Sequence, residues 1–298
     1  MSHRSQRRKI CVCICTYKRP ELLGRLLSSL QEQQTEGLFE YSIVVADNDR
    51  SESARQTVES YARQSKVCVS YYVEPEQNIA LARNKTIENA KGNLIAFIDD
   101  DEFPLDNWLL NLYKALICFE SDGVLGPVIP YFEKEPPKWI LKGRVFERPI
   151  HLNGHLLDWN NTRTGNALLR REVFKEAHDW FDPVFGKGGE DQDFFARKIE
   201  AGHIFVWCND APVFETIPSE RWEGTALLKK ALVRGGMALN AEKSKRMSVL
   251  KSAAAITAYT SCLPLSFFLG RHVVMKYLIK NCDHIGKILA FLGIHWIK

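Results

Sequence analysis

The feature that most constrains this chain is the alternation, through its first hundred residues, of short apolar runs with helical patterns. Ile10 to Cys15 reads as a buried strand, and Pro20 opens a helix whose Leu22, Leu23, Leu26, Leu27 and Leu30 share one face. Tyr41 to Ala46 is a second strand, Ser51 to Gln64 a polar helix, and Val67 to Val73 a third strand. Asn78 to Ala90 is a helix closed by Gly92, and the strand Leu94 to Ile98 follows. Strands separated by helices of this length pair in parallel, which implies an open α/β sheet with helices on both faces. Ligands of such sheets bind beyond the carboxyl ends of the strands.

Those strand ends are where polar residues gather. FIDDDE places Asp99, Asp100, Asp101 and Glu102 directly after an apolar strand, and strand alternation sets Asp99 and Asp101 opposite Asp100. Consecutive carboxylates repel one another, so folding them together calls for a cation, and hard oxygen ligands suit Mg²⁺ or Mn²⁺. The plainer reading is an acidic turn capping a helix that starts near Pro104. Asp47 ends the second strand, and TYKRP follows the first, so three parallel strands deliver polar groups to one rim. Arg83, within NIALARNK, offers a fixed cation to phosphate.

The second half is less regular. Residues 128–165 carry Pro and Trp without a clear period, as functional loops do. A short strand (Ala167 to Leu169) and a helix (Arg171 to His178) follow. GGEDQDF then opens a helix from about Asp191 to Ala201, and Ile204 to Cys208 and Val213 to Glu215 are further short strands. Two glycines ahead of Glu190 and Asp191 permit close approach of a bulky substrate, which favours Asp191 as a general base. Asp193 is read simply as complementing the helix dipole. Cys11, Cys13 and Cys15 would share one strand face as small buried hydrophobes rather than metal ligands.

The net charge of +4 conceals two unlike parts. Residues 240–298 hold nine Lys/Arg against two acids, +7, whereas the remainder holds 31 basic and 34 acidic residues, −3. An acidic body with a basic, apolar tail excludes a nucleic-acid binder and fits a cytoplasmic domain leaning on an anionic membrane. Ser252 to Gly270 runs 19 residues without a charge, interrupted by Pro264. A helical hairpin in the membrane interface is expected, with Lys243, Lys245, Arg246, Lys251 and Arg271 against anionic lipid. The alternative is a helical pair packed on the body or on a homodimer partner. The expected division is a catalytic domain over 1–239 and a tail over 240–298. The short apolar run after the basic N-terminus is too short for a signal-peptide core, so a cytoplasmic main domain is expected.

In order and spacing, CTYKRP, VVADND, ALARN, FIDDDE, GNALLRREVF and GGEDQDF resemble the family 2 glycosyltransferases with a GT-A fold, over roughly residues 8–236. The glycine-rich ED turn and a later Pro-x-x-Arg helix are similar to bacterial exopolysaccharide and lipopolysaccharide transferases of the succinoglycan glucosyltransferase type. The resemblance implies a nucleotide pocket lined by Thr16, Tyr17 and Arg19, with Asp47 meeting uracil and Arg83 near the base or diphosphate. It implies Asp99 near the ribose and the metal, Asp100 in the donor site, and Asp101 holding Mn²⁺ or Mg²⁺. Asn166 would lie near the donor sugar, Asp191 would deprotonate the acceptor, and Glu190 would position it. The family chemistry is a single inverting displacement from a UDP-sugar to a saccharide hydroxyl, here on a lipid-linked acceptor.

Two departures stand out. Where many GT-A enzymes place a metal-ligating His, this chain reads APVFE and offers Glu215. The Q-x-x-R-W motif of processive synthases is absent, which argues for addition of one sugar, with Arg221 and Arg234 reaching the diphosphate from a closing helix. A nucleotidylyltransferase would need a glycine in the loop after the first strand, and CTYKRP has none. A non-catalytic nucleotide-sugar-binding scaffold remains the other class compatible with these motifs.

Overall fold

The computed structural model describes residues 8–175, 180–186, 188–239 and 244–294. The chain begins β1 (Arg8–Thr16), α1 (Pro20–Ser29), β2 (Phe39–Asp47), α2 (Arg55–Gln64), β3 (Cys68–Val73), α3 (Ile79–Asn89) and β4 (Leu94–Ile98). It continues β5 (Glu102–Pro104), α4 (Trp108–Cys118), β6 (Gly123–Leu125), β7 (Val128–Tyr131) and α5 (Lys138–Gly143). Then come β8 (Asn166–Arg170), α6 (Glu190–Glu200), β9 (Phe205–Trp207), β10 (Val213–Thr216), α7 (Gly224–Ala238), α8 (Lys245–Leu269) and α9 (Arg271–Phe291).

The main sheet has the order β3-β2-β1-β4-β8-β6-β9. Strand β8 runs antiparallel to both neighbours, and the other pairs are parallel. Alternation along buried strands supplies two cores. Ile10, Val12, Ile14, Leu94, Ala96 and Ile98 pack on the face covered by α1, α2 and α4. Cys11, Cys13, Ile95 and Phe97 pack on the opposite face, with Phe194 and Phe195 of α6. The first two cysteines of the triplet are thus core hydrophobes, as read from the sequence, and Cys15 lies half-buried above them.

Three local expectations change. Residues 102–104 form a strand rather than a helix start: β5 pairs antiparallel with β10, and α4 begins only at Trp108. Helix α2 starts at Arg55 rather than Ser51 because the Asp47 carboxylate takes the Ala54 N–H at 2.8 Å and holds residues 48–54 as a turn. Arg171–Phe174 is a 3₁₀ turn, and the remainder of the helix expected to His178 falls outside the described residues.

The chain divides into two compact units, one of residues 1–129 and 148–215, the other of 130–147 and 216–298. The first carries the main sheet. The tail expected from residue 240 therefore shares its unit with α7 and with α5 from the irregular segment. In that unit α9 lies against both α7 and α8, and α5 packs on α9. Lys243 lies outside the described residues.

Candidate active site

The site is built at the carboxyl ends of β1, β2 and β4, as the parallel topology requires. Thr16, the last residue of β1, donates its hydroxyl to Asp100 Oδ2 at 2.8 Å. Arg19 Nη1 donates to Asp100 Oδ1 at 2.9 Å and to Asp101 Oδ2 at 3.1 Å, so one cation holds two adjacent carboxylates. Between them in sequence, the Lys18 ammonium stands 5.1 Å from the Tyr17 ring centre. Burial pushes the Asp100 carboxyl up from its ordinary value. Burial, followed by repulsion from Asp99 and Asp100, pushes Asp101 up to about 6 despite Arg19.

Glu102 lies deeper, accepting the Asp99 N–H at 3.1 Å, and burial raises its carboxyl well above the usual range. A Cβ on Gly165 would stand 2.7 Å from Glu102 Oε1 and 3.2 Å from Asp99 Oδ2, so glycine is what lets residue 165 sit beside these acids. Glu215 faces Glu102 in the β5–β10 register. Its partner is Arg148, whose Nη2 donates to Glu215 Oε2 at 2.5 Å. Arg148 also eases the Glu102 charge. Glu215, expected as a metal ligand, is thus paired with a guanidinium. Nothing in the sequence pattern singled out Arg148, which sits in the irregular segment.

Long-range contacts join the second motif to this rim. Asn78 caps α3 through Oδ1, accepting from Ala80 N at 3.0 Å and Leu81 N at 3.2 Å, while its Nδ2 donates to Pro183 O at 3.0 Å. Gly186 O accepts from Ile79 N at 3.2 Å, and any side chain at Gly186 would overlap Asn78. The start of α3 is thereby tied to the loop that leads into the GGED turn. One turn along α3, Arg83 Nε donates to Glu190 Oε1 at 3.0 Å and Nη2 to Asp99 Oδ1 at 3.3 Å. Burial opposes the Arg83 charge, but Asp99 and Glu190 more than offset it and hold the guanidinium above its ordinary value. Burial also raises Glu190; Arg83 opposes that shift and Asp191 adds to it.

The three acids at the start of α6 are differently engaged. Glu190 is buried against Arg83. Asp193 pairs with Arg197, Nε to Oδ2 at 2.9 Å, a stabilising contact within the helix. Asp191 is partly exposed and accepts only the Gln192 N–H at 2.8 Å, with no ion pair among the described residues. Gly188 and Gly189 precede the helix at φ +123° and +96°, a backbone conformation that disfavours side chains and keeps Asp191 uncrowded.

Three of the expected site residues have partners within the protein. Asp47 is fully buried, with Oδ1 on Asp49 N at 3.1 Å and Oδ2 on Ala54 N and the Tyr71 hydroxyl, both at 2.8 Å. Its carboxylate shapes the loop after β2. Asn166 accepts from Trp108 Nε1 at 2.8 Å and donates to Pro127 O at 3.0 Å and Ala211 O at 2.7 Å, so its amide is consumed in pinning strand ends. Arg234 lies in the second unit, where Asp283 on α9 takes its Nε at 2.9 Å and its Nη2 at 2.8 Å. Arg221 belongs to the same unit, in a 3₁₀ turn over Ser219–Trp222.

Among the described residues no three His, Cys, Asp or Glu side chains converge as a ready-made metal cage. The donor chemistry at Asp101 nonetheless fits a hard cation. Its carboxylate is crowded by Asp99 and Asp100, and Mg²⁺-type sites commonly use one or two carboxylates with substrate phosphates completing the shell.

A mixed sheet thus brings acids to one rim, where an arginine bridges two separated motifs and Asp191 stands behind two glycines. The chain belongs to glycosyl transferase family 2, whose model matches residues 11–177, and it is a glycosyltransferase with a GT-A fold. It is 32% identical over 305 residues to the succinoglycan biosynthesis protein ExoM of Rhizobium meliloti (strain 1021), covering 97% of this chain and 94% of that one. ExoW of the same strain is 24% identical over 219 residues, 68% of this chain and 67% of that one. Among solved structures, a mannosyltransferase of Pyrobaculum calidifontis in complex with GDP-Man and Mn²⁺ has a TM-score of 0.63 at 16% identity, covering 98% of this chain and 88% of that one. Residues 1–349 of Staphylococcus aureus TarS in complex with UDP have a TM-score of 0.54 at 17% identity, covering 97% and 93%. The likeness to these two structures is one of fold.

Proposed function

We propose that this enzyme moves a single sugar from a UDP-sugar to a hydroxyl of a lipid-linked saccharide during synthesis of a bacterial surface polysaccharide. The observation that carries this reading is Arg83, which joins Asp99 of the FIDDDE turn to Glu190 of the GGED turn and so makes one site of two motifs far apart in sequence. Relatives that make succinoglycan and structural neighbours that hold UDP or GDP-Man support the donor and acceptor classes.

In this reading Asp191 takes the proton of the acceptor hydroxyl as its oxygen bonds to the anomeric carbon, and the bond from that carbon to the diphosphate breaks on the opposite face. Configuration therefore inverts, and one base suffices, unlike a glycosidase with its carboxylate pair. Glu190, held by Arg83, shapes the acceptor side. Thr16 and Arg19 fix Asp100 and Asp101, and Asp101 would hold Mn²⁺ or Mg²⁺ with the donor's phosphates completing the shell. When bound there, the cation neutralises charge that builds on the leaving diphosphate. The basic, apolar tail keeps the enzyme at the cytoplasmic face of the inner membrane, near its acceptor.

The test is a screen of nucleotide sugars with Mn²⁺ and with Mg²⁺, reading binding and slow hydrolysis. The expected result is metal-dependent binding of a UDP-sugar, lost in Asp101→Ala. Equal binding with and without metal would remove the metal from the mechanism, and preference for another nucleotide would remove UDP.

A further inference from the structure

The second unit holds a helix with its polarity inverted. In α8 the buried residues are Ser248, Ser252 and Ser266, whereas Leu250, Leu265, Phe267, Phe268 and Leu269 are exposed. Phe267 and Phe268 are 70% and 90% exposed, figures that a core helix in water would not show. The buried side meets α9 through polar contacts: His284 Nδ1 lies 3.1 Å from Ser252 Oγ, and Asn281 Nδ2 donates to Thr260 Oγ1 at 3.3 Å. Small hydroxyl residues inward and large apolar ones outward form the pattern of a helix whose outer solvent is lipid.

Spanning is a separate matter. By length and composition α8 is the one described helix able to cross a membrane. Its antiparallel partner α9 carries Lys276, Lys280, Asp283 and Lys287, which would have to enter the hydrocarbon with it. The apolar exposure is moreover concentrated at the hairpin tip, immediately before Gly270. At that tip α5 packs on α9: the Arg271 guanidinium stands 4.9 Å from the Trp139 ring centre, and a Cβ on Gly143 would lie 3.4 Å from His272 Cβ. Exposed Lys138 and Lys142 adjoin, along α5, the Trp139 and Gly143 that meet Arg271 and His272, so the helix that packs at this tip adds two cations to Arg271. Charge of this sign complements anionic headgroups.

We propose that Leu265–Leu269 at the α8–α9 tip, flanked by Lys138, Lys142 and Arg271, is a wedge that inserts shallowly into an anionic lipid leaflet without crossing it. This deepens the membrane placement given under the proposed function and rests on it, while requiring nothing of the active-site assignments. Cations from the irregular segment approach the headgroups and the two phenylalanines enter the acyl boundary. Basic attraction alone is screened by salt, whereas apolar insertion is not, and this separates the two contributions.

The test is sedimentation of the full chain with vesicles of phosphatidylethanolamine and phosphatidylglycerol, at 0.1 and 0.5 M NaCl, beside pure phosphatidylcholine. Binding to the anionic vesicles that persists at 0.5 M NaCl is expected, and Phe267→Ser/Phe268→Ser should weaken it by about tenfold or more. Amide exchange of the unaltered protein, with and without vesicles, should show new protection over residues 263–269, which keeps the proposal testable if the variant fails to fold. Absence of vesicle binding, unchanged binding by the double variant, or protection elsewhere overturns it. A dimer in solution that this variant converts to monomer would assign the face to a second copy instead. UDP and metal binding in the same preparations reports on the active site separately, so failure of one reading leaves the other standing.

Discussion

Replacing Arg83 by Met tests the central bridge of the site. The arginine side chain is 8% exposed and contacts Glu190, 5% exposed, and Asp99, 41% exposed. Water solvates Asp99 once the guanidinium is gone, so the cost falls mainly on Glu190, stranded as a buried carboxylate. Breaking one half of a buried ion pair costs about 3–5 kcal/mol. Glu190 can escape part of that cost by taking a proton, because burial already raises its carboxyl and the loss of Arg83 raises it further. A carboxyl whose folded pKa stands above its unfolded value holds more protons in the native state. Its contribution to stability therefore falls as pH rises from the unfolded value to the folded one, at about 1.4 kcal/mol per unit. The loss in Arg83→Met should be about 3–5 kcal/mol at pH 8 and smaller at pH 5. For a unit of this size the loss at pH 8 corresponds to a drop in Tm of about 12 °C. Thermal unfolding at the two pH values, with Arg83→Lys as the charge-retaining control, measures the difference. A gap from the unaltered protein that stays constant with pH, or widens toward acid, refutes the idea that Arg83 serves to hold Glu190 ionised.

Other outcomes follow from the same contacts. Asp191→Asn should retain UDP binding and lose transfer by about 10²–10⁴-fold, measured by product formation under saturating donor; transfer at the original rate removes Asp191 as base. Asn166→Ala takes their Asn166 partner from the buried Trp108 N–H and the Ala211 carbonyl, while Pro127 O keeps the Val213 N–H at 3.0 Å, and should cost about 2–4 kcal/mol in urea unfolding; a loss confined to donor affinity would support the donor-sugar role. Arg234→Met removes an exposed pair with Asp283 and should shift stability by no more than about 1 kcal/mol while leaving UDP affinity unchanged by titration calorimetry; a tenfold affinity loss would return Arg234 to the diphosphate.

The parallel core and its chemical rim are legible in the order of the amino acids. Apolar strands of five or six residues separated by helices leave little choice but βαβ units, and that topology carries the ends of β1, β2 and β4 to one edge. The positions of Thr16, Asp99 to Asp101 and the ED turn were legible because each depends on its own strand or helix. What each polar group touches was settled elsewhere. Asp47 and Asn166 carry the same residue types that bind ligands, yet loop amides and strand-end carbonyls already occupy them. Arg148 comes to Glu215 from a stretch with no periodicity, and Arg234 finds Asp283 on a helix 49 residues away. Local pattern reports which face of an element is apolar, since that depends on neighbours three or four residues off. Hydrogen-bond partners, and the bare aromatic tip that α8 presents over a polar seam with α9, arise from contacts distant in sequence. Only the tertiary structure decides those, because each buried donor takes whichever acceptor the packing brings within about 3 Å.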